Sequence, residues 1–139
     1  MVAEVLVFMA MSRIFARFPV RLVLLASFLV AALRWLLLGS LADIPGVLVL
    51  AQVLHAATFG CFHAASIAFV QSSFGPRQQG QGQALYAALS GTGGALGALY
   101  SGYSWKLLGP QFTFGMASVA ALAAAVIIAL RLKHSRNDP

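Results

Sequence analysis

Long apolar runs, separated only by short polar connections, are the feature of this sequence that most restricts its fold. Hydrophobic residues make up 60% of the 139 residues, and charged residues only 9%. A soluble domain of average composition has about a quarter charged residues, which keep its surface in water. Nine Lys and Arg and three Asp and Glu are too few for that purpose. We therefore expect lipid to solvate most of the chain.

The apolar runs predict an all-α membrane protein with five transmembrane helices. A helix needs about 20 residues to cross about 30 Å of hydrocarbon, because each residue adds about 1.5 Å. Gly, Pro and polar residues cluster at 39–43, 75–82 and 108–110 and predict connections there, while Pro19 separates the first two helices. The predicted spans are residues 2–18, 20–38, 44–73, 83–105 and 111–130.

The positions of the arginines predict how these helices are oriented. Arg13, Arg17 and Arg21 surround the first connection, Arg77 lies in the third, and Arg131 begins the basic C-terminal tail. Because Lys and Arg favour cytoplasmic loops, we expect these connections and the C-terminus to be cytoplasmic, in a cell inner (plasma) membrane. The N-terminus then begins on the outer face. An odd number of helices entering from outside is the pattern of a larger protein cut at an internal point.

Several classes of function do not fit the composition. The net charge of +6 is explained by topology, since the basic residues sit at the ends of apolar runs, and it does not indicate nucleic acid. Cys61 is the single cysteine and supports neither an intramolecular disulfide nor a CxxC metal site. The sequence contains no paired acidic metal ligands, Ser/His/Asp set or HExxH motif. We expect no enzyme, no metal and no cofactor. The arginine cluster would also suit anionic lipid headgroups, although topology alone accounts for it.

Polar side chains at matching depths predict one buried polar site. Such residues are costly in lipid, and they usually face the interior of a helix bundle and mark a pathway. Glu4 and Arg34 each lie thirteen residues from an arginine at the first connection, which is about 20 Å above the cytoplasmic surface. Gln52 and His55, on the third span, fall in or just below the same layer. We expect these four side chains to converge.

Purely structural roles are the alternative at each of these positions. Glu4 and Arg34 are also explained by a structural ion pair, or Arg34 by a side chain that reaches the outer interface. His55 is also explained by a hydrogen bond to a neighbouring helix. On the fourth span, Gly93 and Gly97 form a GxxxG pair within a stripe of small residues, which predicts close helix packing.

Four segments of the sequence resemble the phenylpropionate permease-like branch of the major facilitator superfamily. They are VAEVLVFMAMSRIF (2–15), LVAALRWLLLG (29–39), AQVLHAATFGCFHAA (51–65) and GQGQALYAALSGTGGALGALYSG (80–102). The similarity runs through essentially the whole chain and corresponds to helices 8 to 12 of a twelve-helix transporter. The resemblance implies a partial C-terminal half of such a transporter.

The resemblance also implies roles for individual residues. In the more distantly similar lactose permease-like symporters, a Glu, an Arg and a His in this arrangement take part in proton coupling and substrate binding. For this sequence, the resemblance implies that Glu4 and His55 take part in proton coupling and that Arg34 binds the substrate. The sequence departs from that family at Thr58, where the family has a second Glu, and at Gln52, where it has a Lys. Because of these two differences, the resemblance does not imply a galactoside as the substrate.

By similarity, the expected function is proton-coupled symport of a small organic solute, with an aromatic carboxylic acid such as 3-phenylpropionate as the example. Arg34 and Gln52 would bind its polar groups, and Trp35, Phe59 or Phe62 its ring. Such transporters rock two six-helix halves around a central site. The expected partners are the substrate, protons, the bilayer and a missing N-terminal half. The alternative is a standalone small membrane protein with a structural or interaction role.

Overall fold

The computed structural model describes residues 9, 11 and 13–131. Most of the predicted first span therefore lies outside the described residues, and Glu4 lies outside them too. Residues 13–17 are helical. Three long helices follow, α1 (Val20–Leu41), α2 (Pro45–Ser73) and α3 (Gln79–Arg131).

All three helices are long and apolar enough to cross a membrane, the third together with a short 3₁₀ turn at Pro76–Gln78. The described part of the chain is thus that of an all-α membrane protein.

Prolines mark the beginnings of α1 and α2. Pro19 precedes α1 in an extended conformation (φ −65°, ψ 147°), and Pro45 is the first residue of α2. Proline suits these places because the N–H that it lacks would have no acceptor within the first helical turn.

Helix α1 continues three residues beyond its predicted end at Leu38. Gly39, expected to interrupt the helix, is instead a point of close contact between helices. A Cβ atom at Gly39 would lie 3.1 Å from the Cβ of Phe114 in α3.

Gln79 fixes the connection between α2 and α3. Its side-chain Nε2 donates hydrogen bonds to the carbonyl oxygens of Gln71 (2.9 Å) and Phe74 (2.7 Å). Carbonyls at the end of a helix have no intrahelical donor, so these bonds stabilise the C-terminus of α2. The next helix consequently begins at Gln79, four residues before the predicted Gln83.

Helix α3 is interrupted at Gly109. Its backbone there is non-helical (φ 84°, ψ 172°), and Pro110 follows. A positive φ favours glycine, and a proline fits the first turn of the helix that resumes. Thr113 spans the break, since its hydroxyl donates to the Gly109 carbonyl oxygen (2.9 Å) and lies 2.9 Å from the Ser104 hydroxyl.

The chain reverses direction at this break. Contacts between α2 and the first part of α3 pair late residues of α2 with early residues of α3, and contacts between α1 and the last part of α3 are antiparallel in the same way. The pairs are His63–Tyr86 and Val70–Gly82, then Arg21–Ala129 and Ala32–Ser118. Since α1 and α2 are themselves joined by a short turn, the two parts of α3 must run in opposite directions.

Small side chains form the contacts between helices. Six of the described alanines are buried, and the hydroxyl of Ser118, only 2% exposed, donates to the Ala32 carbonyl oxygen at 2.9 Å. Many large apolar side chains point outward instead, such as Leu107, which is 76% exposed. This inverted distribution is that of a protein whose surrounding solvent is lipid. The buried alanines are Ala32, Ala51, Ala56, Ala65, Ala121 and Ala125.

The glycines predicted to pack closely have no neighbour within the described part of the chain. Around Gly93 and Gly97, no other atom lies within 4 Å of where a Cβ would be, and both residues are exposed. Close contacts occur at Gly39 and Gly82 instead. A packing partner for the GxxxG pair therefore stays a prediction.

Candidate functional site

A cavity of about 280 Å³ lies between α1 and α2. Its lining residues recur at three- and four-residue spacing on both helices, so one face of each helix contributes. The lining residues are Ser27, Phe28, Ala31, Arg34 and Trp35 on α1, and His55, Thr58, Phe59 and Phe62 on α2. Arg34 thus shares the cavity with four aromatic side chains, and the other polar lining residues are Ser27, His55 and Thr58.

Arg34 is the charged group of this cavity. Its side chain is buried, with 8% exposed, and its Nε atom is buried without a hydrogen-bond partner among the described residues. Its Cζ atom lies 3.9 Å from the centroid of the Trp35 ring, within the range of a cation–π interaction. A buried guanidinium with an unused donor is costly unless an anion pairs with it. The described residues supply no such anion to Arg34.

The position of Trp35 is fixed from behind by Phe114 of α3. The two rings are stacked, with centroids 5.6 Å apart and planes 21° apart. Phe114 also makes an edge-on contact with Trp105, at 5.6 Å and 85°. Phe114 thus contacts both Trp35, in the wall of the cavity, and Trp105, in the first part of α3.

Aromatic side chains four residues apart form a column along α2. Ring centroids are 5.6 Å apart for His55 and Phe59, and 4.3 Å apart for Phe59 and His63. At the lower end of the column, His63 Nδ1 lies 2.6 Å from the hydroxyl of Tyr86 in α3. The column connects the cavity with the interface between α2 and α3.

The structure brings together four of the predicted site residues, namely Arg34, Trp35, His55 and Phe59. Gln52 is exposed and does not line the cavity. It lies three residues before His55 on α2, and equal depth in the membrane does not bring a side chain to the same face. Glu4 lies outside the described residues.

Thr58, in the place of an acidic residue in lactose permease-like proteins, is buried and neutral. Its hydroxyl donates to the carbonyl oxygen of Leu54 at 2.8 Å, within its own helix. The described lining of the cavity therefore contains no carboxylate from α2, and Arg34 supplies its charge.

Ser27 and Phe28 line the cavity, yet the polarity of the sequence gave no reason to choose them. The available signal was helical spacing, because both lie about two turns before Arg34 and Trp35 on the same face of α1. The hydrogen bond between His63 and Tyr86 was likewise not predicted. That contact depends on how α2 and α3 are rotated about their axes.

The helices and the cavity define a multi-pass membrane protein with a buried cation among aromatic rings, a set of features suited to carrying a small solute. The sequence profile of the MFS_1 like family matches residues 1–116, and the chain belongs to this family. This membership agrees with the resemblance found in the sequence.

One curated relative matches over most of this chain. It is a protein of Escherichia coli (strain K12) described as "Probable 3-phenylpropionic acid transporter", which is 31% identical over 120 residues. The match covers 86% of this chain and 31% of the relative's length. No solved structure matches the chain.

Proposed function

We propose that this chain forms part of a proton-coupled symporter for an aromatic carboxylic acid such as 3-phenylpropionate. The observation that carries the proposal is the buried guanidinium of Arg34 in a cavity walled by aromatic rings. The description of the Escherichia coli relative supports the same substrate class.

The two ends of such a substrate match the two kinds of lining residue. Arginine pairs with a carboxylate through charge-assisted hydrogen bonds, and the unpartnered Nε of Arg34 supplies a donor. The phenyl ring would lie against Trp35, Phe59 and Phe62, since aromatic rings favour stacked and edge-on contacts. The cavity volume of about 280 Å³ is near the lower limit of small-molecule sites, which suits a single-ring acid.

Proton coupling is assigned to Glu4 and His55. His55 lines the cavity beside Phe59, and imidazole changes its charge near physiological pH. The assignment of Glu4 rests on the sequence, from its calculated depth level with Arg34 and from the resemblance to symporters. A carboxylate at that depth, paired with a proton or with an arginine, would couple uptake of a proton to binding of an anionic substrate.

The proposed arrangement in the membrane has five spans in this chain, with Gly109 as the turn between the last two. The C-terminus and the arginines of the first connection face the cytoplasm of the inner membrane. The chain spans about a third of the relative's length. We propose that further helices, of an N-terminal transporter half, complete the substrate site, because the described cavity has walls from α1 and α2 only.

Uptake of labelled 3-phenylpropionate by cells that express the open reading frame containing this chain tests the substrate class. Arg34→Lys loses the paired hydrogen bonds, and we expect its half-saturating concentration to rise at least about 30-fold, for about 2 kcal/mol of lost binding. Arg77→Lys is the matched control, since Arg77 is exposed in the 3₁₀ turn. Wild-type affinity in Arg34→Lys, at equal membrane abundance, would rule out the proposed carboxylate site.

Two modes of transport separate substrate binding from proton coupling. We expect Glu4→Gln to retain exchange of external for internal substrate, which needs no net proton movement, and to lose accumulation driven by a proton gradient. Undiminished gradient-driven accumulation in Glu4→Gln would remove the proton-coupling role while leaving the Arg34 site intact.

A further inference from the structure

Two exposed arginines lie side by side on the helical residues just before the first connection. Arg13 and Arg17 are one helical turn apart, so their side chains project from the same face. Neither makes a hydrogen bond or ion pair with another described residue. Together with Ile14, Ala16 and Phe18 they line a cavity of about 530 Å³. Two unpaired cations therefore border one open cavity.

Arg21, the third arginine of this cluster, is hydrogen-bonded to α3. Its Nη2 atom donates to the carbonyl oxygen of Ala129, two residues before the end of α3, at 2.8 Å. A cation at a helix C-terminus is stabilised by the carbonyls and by the helix dipole. Arg21 thus stabilises the contact between α1 and α3, and the charge available to a ligand is that of Arg13 and Arg17.

An apolar groove of about 320 Å³ continues from the arginine cavity. Ile14 and Phe18 line both spaces. From there the groove runs between α1 and α2, and its other lining residues are Leu22, Val23, Ala26, Ser27, Val30, Ala57, Thr58 and Cys61. An occupant of both spaces must therefore be anionic at one end and apolar along its length.

The two hydroxyl groups in the groove are already used. Ser27 donates to the carbonyl oxygen of Val23 and Thr58 to that of Leu54, each at 2.8 Å. Among its described lining residues, the groove consequently offers no free hydroxyl donor to a polar ligand. Its chemistry is that of a site for a hydrocarbon chain.

We propose that Arg13, Arg17 and the adjoining groove bind an anionic phospholipid, with the phosphate at the arginines and one acyl chain between α1 and α2. Arginine pairs well with phosphate oxygens, and basic residues next to the membrane attract anionic lipids. The orientation rule accounts for arginines at this surface, but it does not account for an apolar groove that shares Ile14 and Phe18 with their cavity. The groove also borders the Arg34 cavity, since Ser27 and Thr58 line both, but the charges proposed to bind the lipid are those of Arg13 and Arg17.

Cys61 provides a probe inside the groove, because it is the single cysteine of the sequence and lines the groove. The chain would be labelled there with bimane and reconstituted in vesicles that mix phosphatidylglycerol and phosphatidylcholine, with bromine on the acyl chains of one or the other. We expect brominated phosphatidylglycerol to quench the bimane more than brominated phosphatidylcholine at the same mole fraction. Inorganic phosphate should not relieve this quenching, since the acyl chain adds binding energy that the free ion lacks.

Single substitutions then test the arginines. Each contributes about fivefold to the preference for the anionic lipid, so Arg13→Gln and Arg17→Gln should each reduce the preference by that factor. Arg77→Gln, which removes an exposed arginine that lines neither space, should leave it unchanged. Ala26→Phe should displace the acyl chain and lower the quenching while both arginines remain.

Four results would overturn the proposal. Equal quenching by the two lipids would show that the groove does not prefer phosphatidylglycerol. An unchanged preference in Arg13→Gln and Arg17→Gln would show that these arginines do not bind the lipid. An equal loss in Arg77→Gln indicates only general surface charge. No quenching by either lipid, together with cross-linking of unlabelled chains through Cys61, means that a second copy covers the groove. Native mass spectrometry of the unlabelled chain, which should retain phosphatidylglycerol over phosphatidylcholine, excludes an effect of the label.

Discussion

Replacing Phe114 by leucine tests how the wall of the cavity is held in place. Phe114 stacks on Trp35 and meets Trp105 edge-on, with both centroid distances 5.6 Å. An aromatic pair contributes about 0.5–1.5 kcal/mol beyond its buried area. Leucine keeps an apolar side chain, so the added cavity term is smaller than for alanine. We expect the loss of both pairs to destabilise the chain by about 1–3 kcal/mol.

Reversible unfolding in mixed micelles, followed by helical circular dichroism, measures this change. Phe112→Leu is the matched control, because Phe112 lies two residues away on α3, is 46% exposed, and makes no ring contact with another described residue. A double-mutant cycle with Trp35→Leu isolates the stacked pair, for which we expect a coupling of about 0.5–1.5 kcal/mol.

The reasoning would be refuted by additive effects. If Phe114→Leu and Trp35→Leu combine without coupling, within about 0.3–0.5 kcal/mol, the stacked arrangement contributes nothing to stability. Equal stabilities of Phe114→Leu and Phe112→Leu would further show that neither aromatic contact matters.

Two further substitutions test the contacts between helices. Gly82→Ala would bring a Cβ within 2.7 Å of the Phe74 ring, so we expect a loss of about 1–3 kcal/mol, whereas Gly80→Ala has open space and should gain up to about 1 kcal/mol from helix propensity. Equal unfolding midpoints for these two variants would contradict the close contact. Ser118→Ala removes the hydrogen bond to the Ala32 carbonyl oxygen, and we expect a loss of about 0.6 kcal/mol and at most about 1.7. A larger loss in the same unfolding assay would mean that Ser118 does more than make this bond.

The sequence was sufficient for the helical class and for much of the site. Apolar runs and prolines predicted the helices because only a helix satisfies its own backbone polar groups in lipid. Counting residues from the arginines of the first connection put Arg34 and His55 at similar depths, and both line the cavity. Depth follows directly from the rise per residue, which sequence provides.

Rotation of each helix about its axis could not be predicted as well. Gln52 has a similar calculated depth but does not reach the cavity, while Phe28 does through its position on the same face as Trp35. Gly39 was expected to end a helix, but its absent side chain instead allows α1 to approach Phe114. A glycine that permits contact and a glycine that ends a helix look the same until the neighbouring helix is known.

The turn at Gly109 has a consequence for movement. The chain reverses over Gly109 and Pro110, and the Ser104 and Thr113 hydroxyls bridge the reversal. The connection is therefore too short for the two segments of α3 to move independently. A shift of one segment along the membrane normal must therefore pull the other with it.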